Sequence, residues 1–296
     1  IRAPHRPVDR SRLLRQPGQV AAVRTALIGD REVTRLGFGG WQLSGVEPRP
    51  AQVTARHVIE TVFDAGITLI DTADSYQLGG EEPGHNERLL SETVASWKGQ
   101  ADALLIASKG GRSVTETGER YCNASPSALR AACEGSLRRL GTDHIELYYL
   151  HRPDPAVPFE DSLGCLSDLA EEGSIRSIGV SNVDEAQLHT AHALLGPRLV
   201  AVQNEFSPWN VESEPVVRLA EQLGLAVRDD VHGVRDVVRL EDAQPVEQHL
   251  LRHARGRGAQ EVRARRQVAE AEVRVLPRGR VSHSPHLCFD EFLFVT

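Results

Sequence analysis

Apolar positions along this chain switch repeatedly between a helical and a strand-like period. From 52 to 65, Val53, Val58, Ile59, Val62 and Phe63 recur at helical spacing, and the β-branched run ITLID follows as a strand. ERLLSETVASW then puts Leu89, Leu90, Val94 and Trp97 on one helix face before the strand ALLIAS. A helix over 125–140 opens with Ser125-Pro126, an N-cap followed by proline at the first helical position, and closes at Gly141, where a C-cap belongs. HIELYYL is the next strand, and the pattern runs on through a helix at 159–172, SIRSIGVS, a helix at 185–195, LVAVQNE, a helix at 214–223 and GLAV. Upstream, VRTALIG and EVTRLGFGG flank Gly29-Asp30, which predicts a short hairpin leading into a strand that ends in glycines.

Counted from LGFGG, seven strands alternate with helices, a repetition that implies parallel strands joined by right-handed crossovers. An open doubly wound sheet competes with a closed barrel, but no G-x-G-x-x-G opens a helix after any of these strands. The expectation is therefore an α/β fold, a (β/α)8 TIM barrel, with strands one to seven within 23–227. The 296 residues suit one such domain. Residues 1–22 combine Pro4, Pro7 and Pro17 with many arginines and no apolar period, so they read as a disordered extension. With 34 basic against 41 acidic side chains the formal charge is -7, which gives no broad footprint for a nucleic acid or an anionic membrane. No run approaches the ~20 apolar residues of a membrane span, and the Arg- and Pro-rich opening lacks the apolar middle of a secretory signal, so the default address is cytoplasmic. Cys122, Cys133, Cys165 and Cys288 lack C-x-x-C spacing and read as reduced thiols rather than a metal or redox site.

The chemistry sits where apolar runs end, because a parallel barrel gathers its reacting groups at the carboxyl ends of its strands. Asp71 ends ITLID, Lys109 ends LLIASK, His151 ends IELYYLH, Ser181 and Asn182 end IGVSN, and Gln203 ends LVAVQ. Lys109 is one of only two lysines, with Lys98, in an arginine-rich chain. Singly, a buried Asp-Lys pair can serve a core and a terminal Ser-Asn can turn the chain; five successive strand ends with such groups point to a site. Reduction of a carbonyl by hydride leaves an alkoxide that needs a proton. Tyr76, five residues after Asp71, can supply it as general acid if a neighbouring ammonium, Lys109, favours its phenolate and Asp71 holds that lysine charged. Neutral His151 can orient the substrate oxygen, and Ser181, Asn182 and Gln203 carry groups that match a nicotinamide carboxamide.

IDTADSY, ASKGG, LYYLHRPD, IGVSN and VQNEFSPW, in this order, resemble the aldo-keto reductase family, and LGFGGWQLSG and the long stretch from GSLRRLGTDH to IGVSN resemble its bacterial members. The resemblance covers roughly Val23 to Val227. It implies an eight-stranded barrel, NADPH rather than NADH as the usual cofactor, no metal, and a broad class of aldehydes and ketones as substrates. It also implies that Asp71, Tyr76, Lys109 and His151 are the family's catalytic tetrad, that Ser181, Asn182 and Gln203 hold the nicotinamide amide, and that Gly40-Trp41 forms the loop beneath the nicotinamide ribose. Gln77 stands where a glycine is common. Trp41 and Trp209 read equally as walls of a substrate pocket or as rim and core residues.

After GLAV the resemblance stops. The family places a stacking aromatic and a small-residue pyrophosphate loop there, whereas this chain reads RDDVHGVRDVV, with Arg228 and Asp229 expected to face the nicotinamide ring. An eighth strand is expected near 273–276, in VRVLPRGR, with Arg278 and Arg280 as candidates for pairing with phosphate. If 228–296 does not close the barrel, two strand edges stay open. Two other readings follow from this divergent segment: a non-catalytic barrel acting as a binding or regulatory protein, and an inactive product of a frameshifted or decayed gene.

Overall fold

The computed structural model describes residues 24–206, 211–230 and 293–295. The chain enters through a hairpin of β1 (Thr25–Ile28) and β2 (Arg31–Thr34), paired antiparallel across Gly29-Asp30. The barrel follows: β3 (Leu36–Gly39), α1 (Gln52–Asp64), β4 (Leu69–Asp71), α2 (His85–Ser96) and β5 (Leu105–Gly110). A second hairpin, β6 (Arg112–Val114) with β7 (Arg120–Cys122), interrupts the alternation before α3 (Pro126–Leu140). Then come β8 (Ile145–Leu150), α4 (Phe159–Glu171), β9 (Ile175–Ser181), α5 (Glu185–Leu195), β10 (Leu199–Glu205), α6 (Glu214–Leu223), β11 (Ala226–Asp230) and β12 (Leu293–Val295).

Seven strands run parallel in the order β3-β4-β5-β8-β9-β10-β11, and β12 closes the barrel between β11 and β3. Closure therefore comes from the last residues of the chain, and β12 runs antiparallel to both neighbours. The expected strand near 273–276, the arginines after it, Trp209, Cys288 and residues 1–22 all lie outside the described residues.

Helix ends follow the local chemistry. Ser125 Oγ accepts the Ala128 N–H at the start of α3, and Gly141 (φ 70°) ends it in the left-handed region. Asp184 and Gln187 form a reciprocal capping box on α5: Asp184 Oδ1 accepts from Gln187 N at 2.8 Å, and Gln187 Oε1 accepts from Asp184 N at 3.0 Å.

Strand alternation divides the core into two layers. Phe38 and Ile70 point outward to α1 and α2, while Tyr148, Leu150, Ile178, Val180 and Val202 point outward to the helices from α3 to α6. The intervening positions Leu69, Leu105, Ala107, Leu147, Tyr149 and Ala201 fill the lumen, and Ile28 and Val33 of the first hairpin plug it from the amino-terminal side. Continued by twos, those inward rows lead to Asp71, Lys109, His151, Ser181, Gln203 and Arg228 at the carboxyl-terminal mouth. The lumen is tight at Gly179, where an added Cβ would lie 2.2 Å from Cε1 of the Tyr149 ring. Gly179→Ala should therefore destabilise the fold by about 1–3 kcal/mol, as expected for overpacking. A urea midpoint equal to that of the wild type would contradict this packing.

Candidate active site

Lys109 Nζ lies 2.6 Å from both Asp71 oxygens, 3.0 Å from the Thr72 carbonyl and 3.0 Å from Tyr76 Oη. Tyr76 Oη donates to Asp71 Oδ2 at 3.4 Å. The tyrosine is delivered by the loop after β4, whose backbone is tied to the next strand by the Asp74 N–H donating to the Lys109 carbonyl. His151 reaches the same point from the end of β8: its ring centroid is 5.9 Å from that of Tyr76, in an edge-to-face arrangement, and its Nδ1 is 3.4 Å from Ser75 Oγ. Asp71, Tyr76, Lys109 and His151, separate in sequence, are thus brought into one buried group.

Burial alone would raise the Asp71 carboxyl, but the charges of Arg228 and Lys109 and their hydrogen bonds outweigh it and hold it down at about 2. Burial, followed by the charges of Lys109 and Arg112, holds the His151 imidazole well below its usual range, so it is neutral near pH 7. Asp74 is displaced the other way: burial and the neighbouring Glu87 push its carboxyl well above the usual carboxylate range.

Ser181 ends β9 and stands beside Gln203 in the β9–β10 register, both buried. Asn182 takes φ 56°, a left-handed conformation that asparagine tolerates better than most residues, and its Nδ2 donates to the His151 carbonyl and to Ser181 Oγ at 2.9 and 3.0 Å. Ser181 thus accepts one bond and keeps its own proton to give. A hydroxyl and two carboxamides at adjacent strand ends fit a planar carboxamide partner with donors and an acceptor. Gly40-Trp41 lies across the mouth: the Gly40 N–H donates to the Asp71 carbonyl, and the Trp41 ring meets Tyr76 edge-on at 5.1 Å. Trp41 is therefore a wall of the mouth.

Some buried polar groups in this region escaped the sequence reading. Asn86 accepts from Thr72 Oγ1 at 2.7 Å and donates to the Gly40 carbonyl and Ser44 Oγ at 2.9 and 2.8 Å, joining the loops after β3 and β4. Glu87 accepts from Ser108 Oγ and from Arg139 Nε, both at 2.6 Å. Their signal was an Asn-Glu pair on the helix face that the apolar spacing of α2 turns inward. Arg228 needs a correction: its guanidinium is turned into the lumen instead of facing a nicotinamide ring. There Nη1 lies 2.9 Å from Asp71 Oδ1, with Cζ 5.4 Å from the Tyr149 ring centroid.

Residues 35–228 match the model of the aldo/keto reductase family. The chain belongs to the aldo/keto reductase family. It is 35% identical over 198 residues to a probable aldo-keto reductase of Glycine max, a match covering 66% of this chain and 55% of that protein. With an uncharacterised oxidoreductase of Schizosaccharomyces pombe it shares 35% identity over 206 residues, 68% of this chain and 63% of that one. The match to both curated relatives thus spans less than two thirds of their length. Among solved structures, the holo form of a Bacillus halodurans aldo-keto reductase aligns with a TM-score of 0.58 at 26% identity, covering 71% of this chain and 65% of that one. A Gluconobacter oxydans glycerol dehydrogenase shares the fold with a TM-score of 0.62 at 24% identity, covering 85% and 79%. Among the described residues no three His, Cys, Asp or Glu side chains are grouped to hold a metal ion, and no helix is long and apolar enough to cross a membrane.

Asp71→Asn would leave Lys109 and Arg228 buried with no counter-ion between them. We expect a loss of about 3–5 kcal/mol in urea unfolding at pH 7, the cost of breaking a buried ion pair from one side. A loss under about 1 kcal/mol would mean that the two cations do not depend on this carboxylate.

Proposed function

We propose that this chain reduces an aldehyde or ketone to an alcohol by hydride transfer from NADPH, with Tyr76 as the general acid. The observation that carries this is the contact of Lys109 Nζ with both Tyr76 Oη (3.0 Å) and Asp71 (2.6 Å). A bound nicotinamide would supply the hydride. Everything else falls to the protein. The Tyr76 hydroxyl gives its proton to the substrate oxygen, and the Lys109 ammonium stabilises the phenolate left behind, while Asp71 fixes the ammonium. His151, neutral through burial, donates a hydrogen bond that orients the substrate oxygen instead of delivering a charge. Ser181, Asn182 and Gln203 would hold the nicotinamide carboxamide, and Gly40-Trp41 would lie beneath its ribose. The preference for NADPH rests on the family resemblance; Arg278 and Arg280, its candidate phosphate partners, lie outside the described residues. The site takes small carbonyl compounds, and neither the chain's charge nor the helices among the described residues argue for a nucleic-acid or membrane partner. A cytoplasmic location belongs to the same proposal.

One observation favours a second reading, a barrel that binds these ligands without turning them over: Arg228 places a second cation on Asp71. The two readings separate in one experiment. Tyr76→Phe should lower carbonyl turnover by a factor of about 10² or more while NADPH affinity, read from cofactor fluorescence, changes less than about twofold. Saturable NADPH binding with no turnover by the wild type would support the non-catalytic barrel, and no saturable binding would rule out both. Because the imidazole is already neutral, the turnover profile should show no step from His151 between pH 6 and 8.

A further inference from the structure

Three guanidinium groups crowd the barrel mouth beside the tetrad. Arg112 and Arg120 stand on the β6–β7 hairpin that continues from the Lys109 strand. In that antiparallel pair Arg112 lies opposite Cys122 and Val114 opposite Arg120, so strand alternation puts both arginines on one face of the ribbon. Arg120 shows where that face looks. Its guanidinium lies 4.0 Å from the Trp41 ring centroid and donates to the carbonyls of Ser75 and Gln77, on either side of Tyr76, at 2.8 and 3.1 Å. Arg152 reaches the mouth from the next strand end, directly after His151, and donates to Asn182 Oδ1 at 2.9 Å.

None of the three is paired with a carboxylate among the described residues, although Arg49, Arg130 and Arg218 each hold one at the surface. The Arg112 side chain is half-buried, and burial followed by the charge of Arg152 weakens its hold on its proton; burial and then Arg112 bring Arg120 down to about 10. Three cations that repel one another, two of them half out of water, form a focused positive field. The charges of Arg112 and Arg120 reach as far as His151. The barrel order places these residues after β5 and β8, whereas Ser181 and Gln203 end β9 and β10. The field therefore covers the Tyr76 and His151 side of the mouth and meets the carboxamide donors only at Asn182, which Arg152 holds.

We propose that the substrate of this site is a carbonyl compound carrying an anionic group, a carboxylate or a phosphate, received by Arg112 and Arg152 with Arg120 behind them while its carbonyl reaches Tyr76 and His151. The inference rests on the carbonyl-reduction reading for the reaction, but the anion subsite stands on the arginines alone. Arg112 is the residue to change, since Arg120 also braces the Tyr76 loop and Arg152 also holds Asn182.

The test compares kcat/KM for 4-carboxybenzaldehyde with 4-nitrobenzaldehyde, and for glyceraldehyde 3-phosphate with glyceraldehyde, in the wild type, Arg112→Gln and Arg112→Lys. A charge-assisted hydrogen bond predicts that the wild type prefers the charged member of at least one pair by about tenfold or more. Arg112→Gln should lower that ratio about tenfold through KM, and Arg112→Lys should recover part of it. The pair that shows the preference distinguishes carboxylate from phosphate. A wild type without preference, or a preference untouched in Arg112→Gln, overturns the proposal and leaves carbonyl reduction standing. Weaker NADPH binding in Arg112→Gln also overturns it, by assigning the arginine to the cofactor. Calorimetric titration with 4-carboxybenzyl alcohol and with inorganic phosphate separates the subsite from turnover. Binding that weakens about tenfold in Arg112→Gln supports the subsite even where no aldehyde is reduced, and binding that is absent or unchanged overturns it.

Discussion

The Asp71 carboxylate sits in the lumen between two cations, Lys109 on one side and Arg228 on the other, and the organisation of the mouth follows from it. A lone carboxylate at this depth would be expelled or protonated, and a lone ammonium or guanidinium would fare no better. Together they leave one excess positive charge in a closed space beside the Tyr76 hydroxyl. That excess would favour a phenolate at Tyr76, while burial first, and then the charges of Lys109 and Arg112, keep His151 neutral. For Asp71 the folded-state carboxyl, at about 2, lies below its unfolded value of 3.8. Its contribution to stability is therefore full above that unfolded value and is lost as the pH falls through about 2.

The pair depends in turn on strand alternation. The two-residue period that buries Leu69, Leu105 and Leu147 at the closed end carries Asp71, Lys109 and His151 to the open end on the same faces. Polar groups in the surrounding shell complete the arrangement: Asn86 ties the Gly40 loop to Thr72, and Glu87 ties Ser108 to α3 through Arg139. An interior this polar persists because its members are hydrogen-bonded to one another.

The helices over 185–195 and 214–223 were legible to the residue from their apolar spacing, with Asp184 capping the first and Gly224 ending the second, as were the strand ends that carry Asp71, Lys109 and His151. Closure was not legible. A parallel barrel suggests a parallel eighth strand, and nothing local marks Leu293–Val295 as an antiparallel partner for both β11 and β3. The β6–β7 hairpin was missed because two three-residue strands of mixed polarity carry no period. Arg228 was misjudged for a more instructive reason: family position set it against a cofactor ring, while simple alternation from Ala226 already turned it into the lumen. Asn86 and Glu87 were passed over because the helix was read for its apolar residues, and polar groups on the same stripe were discounted.

The central claim is that Asp71 is ionised between its two cations. Carbon-13 NMR of the aspartate carboxyls, with Asp71 assigned through Asp71→Asn, reads this directly. The account predicts that the Asp71 signal keeps its ionised position at pH 3, where an exposed aspartate is largely protonated. A transition at pH 4 or above would contradict it.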